Sequence, residues 1–295
     1  MPETTTARVP QASRFRIDSK VLRKLFRNRL SIAGGIIVLG VILVAIFAPW
    51  LAPYPEDAGP VVHFERALQP PSAQHWFGTD DVGRDIFSRS LFGTRLALLY
   101  AAVVLGIALV VGIPLGLIAG YWNRTWFSTV ILRVVDVFLA VPPLALALAV
   151  TVAFEPSLTT AMVAISFTWW PWFARLIYGE TLRVRALPYI EASRALGQGS
   201  WFIQFRHILP NIISPIVVKA TLDVSFVILL GASLSFLGVG AQEPVPDWGA
   251  MVARGRIYLP FEWWVSTMPG LAIFITVVGF NFLGDALRDA LDVWD

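Results

Sequence analysis

Six apolar runs, each about as long as a bilayer is thick, leave this chain few folds to choose from. They lie roughly at residues 30–51, 91–120, 130–154, 159–178, 212–238 and 265–283. Each reads as a transmembrane helix, so the expected fold is all-α: a polytopic membrane protein with six spans. The 295 residues are 56% hydrophobic and only 15% charged, where a soluble domain carries about 25% charged residues. The expected organisation is a basic segment at 1–29, a first span at 30–51, an external loop at 52–90, a five-helix core at 91–284 and a tail at 285–295. The basic start leads into a run of full span length, which reads as a retained helix rather than a cleaved signal peptide. A net charge of +3 argues for no nucleic-acid partner, and the absence of cysteine excludes disulfides and thiol chemistry.

Orientation follows from Lys and Arg. Basic residues crowd the start (Arg8 to Arg29), the loop after the second run (Arg124, Arg133) and residues 175–206 (Arg175, Arg183, Arg185, Arg194, Arg206). With six spans these three regions share one side, and the positive-inside rule makes that side the cytoplasm, with both termini. Residues 20–29 have helical spacing and read as a positive flank lying on membrane lipid.

Between the fourth and fifth runs lies PYIEASRALGQGSWFIQFRHILP, residues 188–210. Pro188 suits the first position of a helix. Gly197 and Gly199 end it. Ser200 is the expected N-cap of a second helix, and Pro210 its expected stop. The whole of 181–211 reads as a helical hairpin outside the bilayer, a docking surface for another protein.

Glu191-Ala192-Ser193, Gly197 and Leu209-Pro210 resemble the "EAA" loop of bacterial ABC importer permeases. The flanking RALG and RHILPN are similar to the dipeptide, oligopeptide and nickel branch, of second-permease ("C") type. Further stretches extend the resemblance from about Phe26 to Asp292: Phe77-Gly78-Thr79-Asp80, Gly83-Arg84-Asp85, Ser88-Arg89, the pattern around Arg133 and Asp136, Ser233 to Gly238, and Pro269 to Ile273. The family implies a type I importer permease fold and a docking role for Glu191, Ala192, Ser193, Arg194, Leu196, Gly197, His207, Leu209 and Pro210. It implies as partners a second homologous permease, two ATPase subunits and an extracytoplasmic solute-binding protein. No cofactor is expected in this chain; ATP and Mg2+ belong to the ATPases, whose closure would move the hairpin and thereby the spans. Ser193 departs from the family's second alanine, and Gly231 stands where relatives commonly have Glu.

Other residues carry weaker signals. Gly112, Gly116 and Gly120 form a small-residue face for helix packing, within the subunit or against a second one. Asp136 and Asp223 are the candidates for a polar pathway or cavity. Arg133 is the expected partner of Asp136, and Lys219 that of Asp223. Pro142-Pro143 should kink or break the third span. Trp169, Trp170 and Trp172 read as an interfacial belt or packing cluster. Asp80, Asp81 and Asp85 read as helix caps and partners of Arg84 and Arg89 rather than as metal ligands. Residues from Asp285 to Asp292 read as a short terminal helix. No phosphate-loop or HExxH motif is present, and no Ser/His or Ser/Lys dyad is readable, so catalysis is not expected here. Outside the resemblance, an ATPase-independent secondary transporter or a membrane scaffold fits the composition. Within it, nickel, modified peptides or another small solute are alternative cargoes.

Overall fold

Helices occupy every apolar run, but the breaks between them do not all fall where the prolines suggest. A computed structural model describes residues 28–291. The basic segment through Arg27 and the acids from Asp292 onward lie outside the described residues. Ten helices follow in order among them: α1 (Arg29–Leu51), α2 (Ile86–Tyr121), α3 (Trp126–Leu139), α4 (Pro143–Ala153), α5 (Leu158–Arg185), α6 (Pro188–Ala195), α7 (Ser200–Ile203), α8 (Leu209–Phe236), α9 (Trp248–Gly255) and α10 (Trp264–Leu291). The described residues hold no strand, only an isolated bridge between Thr79 and Asp85.

Four helices are long and apolar enough to cross a membrane: α1, α2, α10 and the continuous helix Ser200–Phe236. The third apolar run is divided. Pro142 caps α4 and Pro143 begins it, so α3 and α4 meet at 89° and supply a fifth candidate span only as a bent pair. This is the break expected from two consecutive prolines, since the residue before each is pushed out of the helical region. The fourth run is part of α5, a 28-residue helix that carries Glu180, Arg183 and Arg185 in its last turns.

The core is a helix pair, α2 against α5, with α8 and α10 packed beside it. Along α2, Gly112, Gly116 and Gly120 face α5. A Cβ at these positions would lie 2.7 Å from Phe173 Cβ, 2.7 Å from the Ala174 carbonyl oxygen and 2.6 Å from Thr181 Cβ. The backbones approach so closely only because the three positions lack a side chain. The stripe therefore lies against a helix of the same chain. Against them sits a buried cluster that includes Val104, Ala108, Ile165, Phe173 and Ile177. Helix α1 packs on α10 through Gly34 and Gly279, and leaves Ile36, Ile46 and Trp50 exposed on its other side, as a lipid-facing surface requires.

Three local expectations need correction. Ser200 is not an N-cap: Gly199, extended at φ −64 and ψ 147, takes that position without a side-chain hydrogen bond, and Ser200 is already helical. Pro210 does not stop the second limb. The backbone widens into a π-helical stretch, Gln204–Ile208, where the Leu209 N–H bonds back to the Gln204 carbonyl. The wide turn opens space ahead of the Pro210 ring, which would otherwise strike the carbonyl one turn earlier, and the helix runs on to Phe236. Finally, residues from Asp285 do not begin a separate helix; α10 continues unbroken to Leu291.

Candidate functional site

The hairpin at 188–210 has a buried back and an open front. Its first limb, α6, starts on Pro188 behind an extended Leu187 and turns Ile190 and Ser193 inward. Its end is fixed by backbone hydrogen bonds from Gly197 N–H to the Arg194 carbonyl and from Gln198 N–H to the Ser193 carbonyl, 2.9 and 3.2 Å. This pairing needs a left-handed residue, and Gly197 supplies it at φ 75. Nothing lies within 4 Å of where its Cβ would be, so conformation rather than space selects glycine here. Ile203, Gln204 and Ile208 anchor the second limb inside. His207 ties the limbs together: its Nε2 is 3.1 Å from Gln198 Oε1, and its ring lies 5.6 Å from that of Phe202. Leu209 and Pro210 are half-buried at the base, where the hairpin joins α8.

Glu191, Ala192, Leu196 and Gly197 are left facing outward, with Leu196 80% exposed. Trp201, Phe202 and Phe205 are exposed on the second limb. Sequence reading did not single out these aromatics, although three of them in a segment outside the bilayer was a usable signal. Arg194 turns the other way: its guanidinium lies 5.0 Å over the Tyr121 ring, at the end of α2.

Two charged pairs involve α5 and α8, the helices on either side of the hairpin in the chain. Asp136 pairs with Arg175 of α5 and not with Arg133, a correction to the expected partner. Within α3 the base precedes the acid, the weaker order for a helical pair, whereas α5 lies alongside and brings Arg175 directly to the carboxylate. Both side chains stay partly exposed, at 48% and 40%. Asp223 is enclosed: Lys219 Nζ donates to its Oδ1 at 2.6 Å and Trp169 Nε1 to its Oδ2 at 2.9 Å. Trp169 thus links α5 to α8. Trp172 lies beneath Lys219, 5.7 Å from its ammonium. Gly231, also on α8, faces Tyr100, whose ring carbons would stand 3.1 to 3.3 Å from an added Cβ.

At the opposite end the loop before α2 is tied to the loop before α9. Asp85 caps α2, accepting from the Ser88 N–H at 2.7 Å, and contacts His75 at 2.9 Å. Arg84 reaches Asp80 Oδ2 at 2.8 Å and Glu243 Oε2 at 2.7 Å. Arg254 reaches Asp81 at 2.6 Å and Glu243 at 3.3 Å. Burial alone would raise the Glu243 carboxyl, but its hydrogen bond to Arg84 and the charges of Arg89, Arg84 and Arg254 hold it below the ordinary carboxylate range. All three acids of the sequence motif are engaged in caps or ion pairs, Asp81 with Arg254 rather than with Arg84 or Arg89.

Residues 112–293 match the family model described as the binding-protein-dependent transport system inner membrane component. Residues 19–71 match the N-terminal TM domain of oligopeptide transport permease C. The chain is 41% identical to the probable D,D-dipeptide transport system permease protein DdpC of Escherichia coli (strain K12), over 98% of this chain and 96% of that protein. It is 43% identical to the glutathione transport system permease protein GsiD of Pectobacterium atrosepticum, over 92% and 89%. It is 44% identical to the dipeptide transport system permease protein DppC of Alkalihalophilus pseudofirmus, over 92% and 88%. Among solved structures, an inward facing conformation of the MetNI methionine ABC transporter aligns with a TM-score of 0.59. That match has 20% identity and covers 71% of this chain and 98% of that one. At this identity the likeness speaks for the fold alone.

Proposed function

Because the chain belongs to the binding-protein-dependent transport system inner membrane component family, we propose that it forms half of the translocation pathway of an importer for di- or oligopeptides. The observation that carries the mechanism is the hairpin's division into two faces. Ile190, Ile203 and Ile208 are fully buried behind it, while Ala192, Leu196 and Gly197 stand free in front and Glu191 is exposed at its edge. Such an element can be gripped from outside and is anchored firmly enough to pass the movement on. Partner ATPase subunits, binding ATP and Mg2+, grip it; this chain hydrolyses nothing itself. A second permease subunit completes the pathway, and a solute-binding protein delivers cargo at the opposite face.

The hairpin and both termini lie on the cytoplasmic side, an assignment supported by the clustering of arginine around 175–206. The partly exposed Asp136–Arg175 pair borders the pathway. Asp223 acts from behind it, holding α8 to α5 through Trp169. Peptide cargo is supported by the relatives, which are named for D,D-dipeptide, glutathione and dipeptide transport.

The test is reconstitution of the co-expressed subunits in liposomes, with a peptide library loaded on the binding protein. Peptide-stimulated ATP hydrolysis with uptake is expected. Hydrolysis and assembly without a peptide response would move the cargo to nickel or another solute. Failure to assemble with any ATPase would overturn the hairpin's role.

A further inference from the structure

Beside the base of the hairpin, an open polar pocket of about 350 Å³ lies between the end of α2, the end of α5 and α6, and the exposed Glu191 is at its edge. Asn123, Arg124, Arg185, Glu191 and Arg194 line it. Three guanidinium groups thus face one carboxylate. The three cations repel one another and are poorly neutralised by their surroundings. Arg185 Nη1 reaches the Gly120 carbonyl at 3.4 Å. Arg194 Nη2 is buried without a hydrogen-bond acceptor among the described residues, its guanidinium lying instead 5.0 Å over the Tyr121 ring. Arg124 sits at φ 67, in the left-handed region that a long side chain adopts rarely. Three cations gathered around a single carboxylate leave an excess of positive charge that a bound anion would neutralise.

The depth of the pocket identifies the anion. Its cations contact the last residues of α2, Arg194 over Tyr121 and Arg185 at Gly120, where the apolar helix gives way to Asn123 and Arg124. The apolar run of α2 ends here, which is where headgroups are expected for a span of its length. Aromatic residues ring the same level: Trp122 meets Trp201 at 5.4 Å, and Trp126 is 77% exposed. Indole rings beside a basic pocket at a helix end are the chemistry of a bilayer surface. Arg194 also points back toward the spans, away from the front that carries Leu196 and Gly197. We propose that this pocket binds the phosphate of an anionic phospholipid of the inner leaflet, wedging one headgroup between the spans and the hairpin. The leaflet rests on the orientation given above; binding itself does not depend on transport or on cargo.

The test uses the complete transporter with its ATPase subunits. It is exchanged into phosphatidylcholine vesicles with and without phosphatidylglycerol, re-extracted in mild detergent, and its retained lipid measured by native mass spectrometry. The wild type should retain phosphatidylglycerol in preference to phosphatidylcholine. The double variant Arg124→Gln/Arg185→Gln should retain it about thirtyfold less, roughly fivefold for each charge removed, while still co-purifying with the ATPases. Equal retention by the double variant would overturn the proposal. So would displacement of the lipid by an equal concentration of inorganic phosphate, which would make the ligand a free anion. Loss of the ATPases with lipid retained would show that the arginines grip an acidic side chain of a partner instead. If the double variant does not accumulate, the wild type alone decides, since retention without preference for the anionic lipid sinks the proposal.

Discussion

At the scale of single residues, the Lys219–Asp223 pair shows a buried charge that is matched. Asp223 is buried with both oxygens engaged, and Lys219 is its only cationic contact among the described residues. Removing one member of such a pair leaves the other unanswered, at a cost of about 3 kcal/mol. Asp223→Asn should therefore lower the thermal stability of the purified complex, and Lys219→Met/Asp223→Leu should recover most of the loss. A double variant no more stable than the single one would refute the coupling. Glu243 yields a pH prediction. A carboxyl held below its ordinary pKa adds stability above its unfolded value, and that stability is lost as pH falls through the folded value. Deuterium exchange of residues 52–90 should thus stay slow through the ordinary carboxylate range and rise only at more acid pH, whereas Glu243→Gln should speed it already at neutral pH. Lys219 and Asp223 were legible as a pair because both lie on one helix. Asp136 was not, because its partner Arg175 is supplied by a different helix, and contact between helices leaves no mark in local spacing.

At the scale of elements, the hairpin was readable from its punctuation. Pro188 begins α6, and Gly197 ends it with a left-handed turn that other residues adopt at a cost of about 1–2 kcal/mol. Gly197→Asp adds that strain and places a charge on the outward front. It should uncouple transport from ATP hydrolysis, measured as uptake per ATP consumed in liposomes. Normal coupling in a well-expressed variant would count against the docking role. The second limb was harder to read. A proline usually marks a helix end, but here five residues of wider winding, Gln204–Ile208, absorb it. No local spacing announces that winding, across which Ile203, Ile208 and Ile212 all stay buried.

At the scale of the whole molecule, apolar run length foretold the helices well and their continuity less well. Hydropathy records the burial of side chains in lipid or protein alike, so it joined α3 and α4 across an 89° corner and cut α5 short of its polar last turns. Orientation can be measured directly, because the chain contains no cysteine. In the chain expressed without its ATPase subunits, a Leu196→Cys variant should react with a membrane-impermeant maleimide only in inside-out vesicles, and Glu65→Cys only in intact spheroplasts. The reverse pattern would invert the topology.

The uninterrupted passage of the hairpin's second limb into α8 has a mechanical consequence. Ser200–Phe236 is one rod of 37 residues, about 55 Å long. Swung as a rigid body by about 10° about one tip, a rod of this length would sweep the other tip by roughly 10 Å. That tip is followed within a short loop by Glu243, the acid that clasps Arg84 and Arg254. If the hairpin is pushed as proposed, a small displacement there would become a larger stroke at the Glu243 latch.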